Sequence, residues 1–225
     1  MKLKSAAVLV AGAGGLGCPA AIYLAAAGVG RIRVIDKERV ELNNLNRQIL
    51  YWESDVGRYK AESTNEKLRR LNSDVAIEVV KARIRTQNAR ELIQGFDVVL
   101  DGMDNFETRF VLNRACVSKE VPFIHGSVYG LEGCMTTILP RKSPCLMCIY
   151  GEVPPEIEKF PVAGPAAGMI ACLQVTEALK LILGMGTPYS GRLLFWDGAD
   201  MSFHEIEVDK KPDCPVCSEE SETEA

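Results

Sequence analysis

The stretch SAAVLVAGAGGLGCPAAIYLAAAGVGRIRVID, residues 5–36, decides how the chain folds. Ser5–Ala11 is a short apolar run rich in Val and Leu, which suits a buried strand. Leu16–Val29 is long enough for a buried helix, and Arg31–Asp36 is β-branched again. The three segments read as a strand, helix and parallel strand. Gly12, Gly14, Gly15 and Gly17 have G-x-G-x-x-G spacing and sit between strand and helix, the context that makes the motif informative. With side chains absent, phosphate oxygens reach backbone N–H groups at the positive end of the helix dipole. Asp36 ends the second strand, where a carboxylate accepts hydrogen bonds from a ribose. The motif points to a nucleotide and, taken alone, favours NAD. The alternative is a tight strand-to-helix turn followed by an ordinary strand-end Asp.

Residues 5–30 carry no charge and follow Lys2 and Lys4, the outward form of a signal peptide or a membrane helix. The clustered glycines argue against both, because they weaken a continuous helix and divide the run into strand, turn and helix. A cytoplasmic chain is expected, with its 8 cysteines reduced or metal-bound rather than disulfide-linked. The 225 residues, 47% hydrophobic and 25% charged, have ordinary globular composition and suffice for a sizeable core. Glu219, Glu220, Glu222 and Glu224 account for the net charge of −4, so residues 1–218 are balanced. That balance gives no electrostatic footprint for a nucleic acid. Residues 1–217 are expected to form a single domain, and 218–225 a flexible acidic tail.

Further along, Arg58–Asn72 reads as an amphipathic helix through Thr64, Leu68 and Leu71. Val75–Lys81 reads as a strand, Thr86–Gln94 as a helix, Asp97–Leu100 as a buried strand and Phe106–Ser118 as a helix. Pro122–Gly126 and Cys134–Leu139 read as strands, Pro165–Leu183 as a long apolar helix, and Arg192–Trp196 and Phe203–Val208 as closing strands. Alternation of strands and helices predicts an α/β, Rossmann-like, doubly wound and mainly parallel sheet; the consecutive late strands predict an antiparallel C-terminal extension.

Several polar residues extend the chemistry beyond a dinucleotide. Asn43, Asn44, Arg47 and Lys60 follow the ribose strand and can reach a triphosphate. Taken singly, Lys60 and Arg47 also fit ordinary solvated positions. Asp104 and Asn105 follow the buried strand at its carboxyl end, where doubly wound sheets collect ligands. Asp104 suits Mg²⁺, although its spacing to Glu107 also fits a helix capping box. Cys145 and Cys148, with Cys214 and Cys217, form two C-x-x-C pairs that can close a tetrahedral zinc site. For either pair alone a redox dithiol is the rival reading. Cys18, Cys116, Cys134 and Cys172 lie in apolar or helical contexts and default to core. His125 and His204 default to structural roles, since neither sits in a context suggesting a nucleophile pair.

In this order, Gly12–Gly17, Asp36, Asn43–Gln48, Lys60, DGMDNFETR at 101–109, both C-x-x-C pairs and LQVTEALK at 173–180 resemble the ThiF/MoeB/HesA family of ubiquitin-activating-like adenylyltransferases. The resemblance runs from about residue 5 to 217. It implies ATP-dependent adenylation of the C-terminal glycine carboxylate of a small ubiquitin-fold sulfur carrier ending in Gly-Gly, by a homodimer. It further implies that Gly14 and Gly15 cradle phosphate, Asp36 holds the ribose, Asn44, Arg47 and Lys60 contact the triphosphate, and Asp104 positions Mg²⁺ with Asn105 beside it. Family members commonly carry an N-terminal Arg-Tyr-x-Arg-Gln-like helix whose Arg reaches the partner's ATP, and no counterpart precedes Ser5 here. Some members place a cysteine in the crossover loop for a covalent adduct. Ile149–Ala171 contains no cysteine, so adenylation without a thioester or acyl-disulfide stage is expected. An NAD-dependent oxidoreductase and a non-catalytic carrier- or nucleotide-binding module are the competing functions.

Overall fold

A computed structural model describes residues 2–155 and 161–218. A helical turn α1 (Lys2–Ser5) leads into β1 (Ala7–Ala11), α2 (Gly17–Ala26) and β2 (Arg31–Ile35). Then come α3 (Lys60–Leu71), β3 (Ala76–Val80), α4 (Thr86–Leu92), β4 (Val98–Asp101) and α5 (Phe106–Ser118). The second half holds β5 (Phe123–Tyr129), β6 (Glu132–Ile138), α6 (Leu146–Tyr150), α7 (Gly164–Leu183), β7 (Arg192–Asp197) and β8 (Ser202–Glu207). The strands form one 8-stranded sheet in the order β3-β2-β1-β4-β5-β6-β7-β8. Neighbours from β3 to β5 pair in parallel, and those from β5 to β8 antiparallel. This is the doubly wound sheet with an antiparallel extension that the sequence predicts. Strand order reverses between β1 and β4, which opens a crevice at their carboxyl ends.

Both faces of the parallel half are covered, which explains its unbroken apolar strands. On β1, Val8 and Val10 face the layer of α2 and α7, while Ala7, Leu9 and Ala11 face the layer of α5. The uncharged run of residues 5–30 is therefore β1, a turn and α2 rather than one spanning helix. Among the described residues, α7 alone is long and apolar enough to cross a membrane. It lies against β5 and β6, with Ala166, Ala167, Ile170 and Ala171 fully buried.

Several boundaries differ from the sequence reading. Ser5 belongs to α1, and α2 stops at Ala26 because Gly28 adopts a φ of +77° and Val29 N–H turns back to Leu24 O at 3.2 Å. The helix read from Arg58 starts at Lys60. β5 runs past Gly126 to Tyr129 and β6 starts at Glu132, so the two strands form a tight hairpin around Gly130 and Leu131. Gly126, read as the last residue of its strand, and Gly133, read as lying before the next one, are both interior to strands, where α7 crosses closely. A Cβ on Gly126 would meet Gln174 Cδ at 2.7 Å, and one on Gly133 would meet Ile170 Cγ1 at 2.3 Å. Gly133→Ala is expected to cost about 1–3 kcal/mol through overpacking, read as a lower urea midpoint at unchanged m-value. An unchanged midpoint would show that α7 yields at no cost.

Candidate functional site

A cavity of about 630 Å³ occupies the crevice at the ends of β1, β2 and β4. Gly12, Gly14, Gly15, Asp36, Asn43, Asn44, Arg47, Lys60, Asp104 and Asn105 line it. Gly17 does not. A Cβ there would fall 1.9 Å from Gly12 O, so this glycine lets α2 start against the turn rather than facing a ligand. Gly12 has a φ of +95°, and a Cβ on it would meet Gly102 O at 2.6 Å, which keeps the turn bare of side chains.

Asp36 organises the glycine turn from below. Its Oδ2 accepts Ala13 N–H at 2.8 Å and its Oδ1 accepts Glu38 N–H at 2.7 Å. Burial raises the carboxyl above its usual value, against the opposing Lys60 charge and these two donors. Lys60 is 3% exposed, and its Nζ donates to Glu38 Oε2 at 2.7 Å. The solvated alternative for Lys60 therefore does not hold. Arg47 Nη1 donates to Asn43 O at 3.1 Å and to Asn46 Oδ1 at 2.8 Å, while its Cγ and Cδ lie 3.5 and 3.6 Å from where a Cβ on Gly15 would stand. Asn44 is buried; its Nδ2 donates to Asn43 Oδ1 and its Oδ1 accepts Glu41 N–H.

The capping-box alternative for Asp104 also fails. Asn105 is the N-cap of α5, with Oδ1 accepting Thr108 N–H at 2.9 Å. Asp104 stands one residue outside the helix, exposed, accepting from Asn105 Nδ2 at 3.1 Å. Its carboxylate faces the cavity, where a hard oxygen ligand suits Mg²⁺ bound together with substrate phosphates.

Sequence reasoning passed over the group beneath this wall. Asp101 is 1% exposed; its Oδ2 lies 2.7 Å from His125 Nδ1 and 3.3 Å from Arg109 Nε, and its Oδ1 accepts Met103 N–H. Arg109 is buried as well, and Nη2 donates to Met103 O at 2.6 Å and Gly126 O at 3.2 Å. The charged strand end Asp101 followed by Arg109 on the next helix was the available signal. Asp101→Asn is expected to cost about 3–5 kcal/mol, because it leaves a buried guanidinium without its anion. Thermal unfolding checks this, and a loss below about 1 kcal/mol would show that the carboxylate is dispensable.

His125 does not stand alone, contrary to expectation. The hairpin pairs Ser127 with Cys134 and His125 with Thr136, so His125 and Cys134 share one sheet face as diagonal neighbours. The imidazole Nε2 lies 3.1 Å from Tyr150 OH, and the Cys134 sulfur lies 3.0 Å from Ser127 Oγ. His204, on exposed β8, has Nε2 3.0 Å from Ser202 Oγ.

Cys145, Cys148, Cys214 and Cys217 are buried, with all four sulfurs within 4.8 Å of one another. Cys145 and Cys214 sulfurs are 3.7 Å apart, and those of Cys148 and Cys217 are 3.5 Å apart. A tetrahedron of sulfurs at the Zn–S distance has edges of about 3.8 Å, whereas a disulfide needs about 2.05 Å. Burial pushes the Cys145 thiol up to about 11, a shift that a divalent cation among the sulfurs would reverse. The cluster can hold a metal and joins α6 to the segment around 214–217. Through Tyr150, α6 then reaches His125.

Comparison with known proteins agrees with this geometry. The chain is 45% identical over 223 residues to the SAMP-activating enzyme E1 of Haloferax volcanii, covering 97% of this chain and 82% of that protein. It is 39% identical over 229 residues to the sulfur carrier protein adenylyltransferase of Thermus thermophilus, covering 97% and 84%. The adenylyltransferase and sulfurtransferase MOCS3 of Anopheles gambiae is 45% identical over 225 residues, but this chain spans 51% of its length. The crystal structure of E. coli MccB with ATP superposes with a TM-score of 0.86 at 25% identity, over 96% of this chain and 68% of that one. These relatives favour an adenylyltransferase over an NAD-dependent oxidoreductase. The ThiF family model matches residues 1–216, and with relatives named as adenylyltransferases at 45% and 39% identity the chain belongs to the ThiF family as an adenylyltransferase.

Proposed function

We propose that the chain uses ATP to adenylate the C-terminal glycine carboxylate of a small ubiquitin-fold sulfur carrier ending in Gly-Gly, releasing pyrophosphate. The observation that carries this reading is the convergence of Asp36, Arg47, Lys60 and Asp104 on one cavity around the glycine turn. A carboxylate is a poor electrophile at carbon, and a mixed anhydride with AMP gives it a good leaving group. One carboxylate oxygen attacks the α-phosphorus, and the bond to pyrophosphate breaks. No general base is needed, because the carboxylate is ionised at neutral pH. The protein's task is alignment and charge stabilisation.

In this reading Gly14 and Gly15 cradle phosphate, Asp36 holds the ribose, and Asn44, Arg47 and Lys60 neutralise the triphosphate. Asn43 braces Arg47, and Asn105 orients Asp104. Mg²⁺ bound at Asp104 would neutralise charge developing on the phosphates. Zn²⁺ fits the four-sulfur cluster as a structural ion. Residues 1–217 then act as one adenylation unit, as a homodimer in the cytoplasm. The free cysteines support that compartment, and exposed Leu42, Ile49, Trp52 and Val56 near Arg47 support the dimer.

ATP–pyrophosphate exchange tests the reading. Exchange should require a Gly-Gly-ending carrier with a free carboxylate and vanish when that terminus is amidated. Equal exchange with the amidated carrier would overturn it.

A further inference from the structure

Gln48 is 4% exposed and lines the nucleotide cavity. Its backbone is engaged at both ends, since its N–H donates to Asn44 O at 2.9 Å and its O accepts Tyr51 N–H at 3.0 Å. Its side-chain amide is not. Oε1 is buried without a hydrogen-bond partner among the described residues, and Nε2 stands beside the glycine turn, 3.8 Å from where a Cβ on Gly14 would lie. Two other buried amides also have an unpaired end, but each is tied down by the opposite one. Gln174 Nε2 donates to Asp101 O and Ile124 O, and Asn113 Oδ1 accepts Leu146 N–H. Gln48 has no such tie among the described residues. A buried amide of this kind costs stability and holds no part of the fold together, so its use lies with what enters the cavity.

The surroundings fix where this amide stands. Tyr51 OH donates to Ala13 O at 2.9 Å and lies 3.1 Å from Thr64 Oγ1, which clamps the segment 44–51 against the glycine turn. Three side chains then follow one another along that turn. Asp36 Oδ2 accepts Ala13 N–H, Gln48 Nε2 lies at Gly14, and the Arg47 side chain lies at Gly15. A nucleotide whose ribose meets Asp36 and whose outer phosphates meet Arg47 brings its first phosphate to Gly14, within reach of the Gln48 amide.

We propose that Gln48 is a catalytic residue of the adenylation step, donating from Nε2 to a non-bridging oxygen on the α-phosphorus. The inference rests on the adenylation reading for its substrate. Gln48 forms no covalent bond and moves no proton. As the carboxylate oxygen attacks, the non-bridging oxygens swing into the equatorial plane of a five-coordinate phosphorus. A donor already held at that position aligns them and stabilises their charge without reorganising. Arg47 and Lys60 supply full positive charges to the outer phosphates, whereas the neutral amide acts on the reacting phosphorus itself.

Gln48→Met keeps the length of the side chain and removes the donor and the unpaired acceptor together. The thermal midpoint of the full, zinc-loaded variant should equal or exceed the parent's, because an apolar group of similar shape in place of an unpaired buried amide is neutral or stabilising. Calorimetric titration with AMP and with adenosine reads the α-phosphate contact without any carrier. AMP should bind the variant about 10-fold more weakly and adenosine equally well. Carrier-dependent ATP–pyrophosphate exchange should fall about 10²-fold in kcat. Equal weakening of AMP and adenosine, unchanged AMP binding, or a midpoint well below the parent's would each overturn the proposal. Selective loss of AMP binding, in a chain whose parent shows no carrier-dependent exchange, would leave the α-phosphate contact standing and sink the adenylation reading alone. Exchange in the parent that the variant retains in full would sink the role of Gln48 alone.

Discussion

Lys60→Ala should lower carrier-dependent ATP–pyrophosphate exchange by about 10²–10³-fold, the usual loss when one preorganised charge-stabilising group leaves a reaction site. Lys60 starts α3 beneath the cavity, and its 3% exposure fixes the ammonium where a phosphate would meet it rather than water. Its partner Glu38 has a side chain 53% exposed and can rehydrate, so the loss should fall on catalysis more than on folding. Asp104→Ala gives a cleaner version of the same test. Asp104 is exposed and does not cap α5, so stability should stay within about 0.5 kcal/mol while exchange falls at least about 10²-fold. Exchange at parental rate in either variant would remove that residue from the reaction.

Cys145→Ser should remove the metal and much of the order of the C-terminal segment. The parent should hold about one zinc per chain, and structural zinc sites in small peptides bind with about 10–16 kcal/mol at neutral pH. That figure rivals the whole net stability of a domain, about 5–15 kcal/mol. The loss should therefore appear as faster amide exchange through α6 and the 211–218 segment and as a lower thermal midpoint. Cys145 and Cys148 bracket the start of α6, so loss of the metal there would also loosen Tyr150 from His125. Full zinc retention in the variant, or disulfides joining the two C-x-x-C pairs in the parent, would refute a structural zinc site.

The parallel half of the sheet was legible because its signals are local. Apolar runs, glycine spacing and the strand-end Asp36 each act within a few residues, and β1, α2 and β2 follow from them directly. The antiparallel hairpin was partly missed because Gly126 and Gly133 carry no local mark separating a turn from a close helix crossing; the approach of Gln174 and Ile170 on α7 makes that distinction. Arg47, Lys60 and Asp104 were legible as candidates through their charge and their place after strands. Burial of Lys60 and release of Asp104 from capping were not, since both depend on where α3 and α5 begin.

By itself, the sequence determined the α/β alternation, the glycine turn that opens α2 and the paired cysteines, because each depends on periodicity, backbone freedom or short spacing. Tertiary structure decided that four cysteines from distant segments meet and that Gly17 serves packing rather than the cavity. It also joined Asp101, Arg109, His125 and Tyr150 beneath the cavity wall. Contacts across strands depend on sheet order and hairpin register, and a shift of one residue would have turned Cys134 to the opposite face from His125.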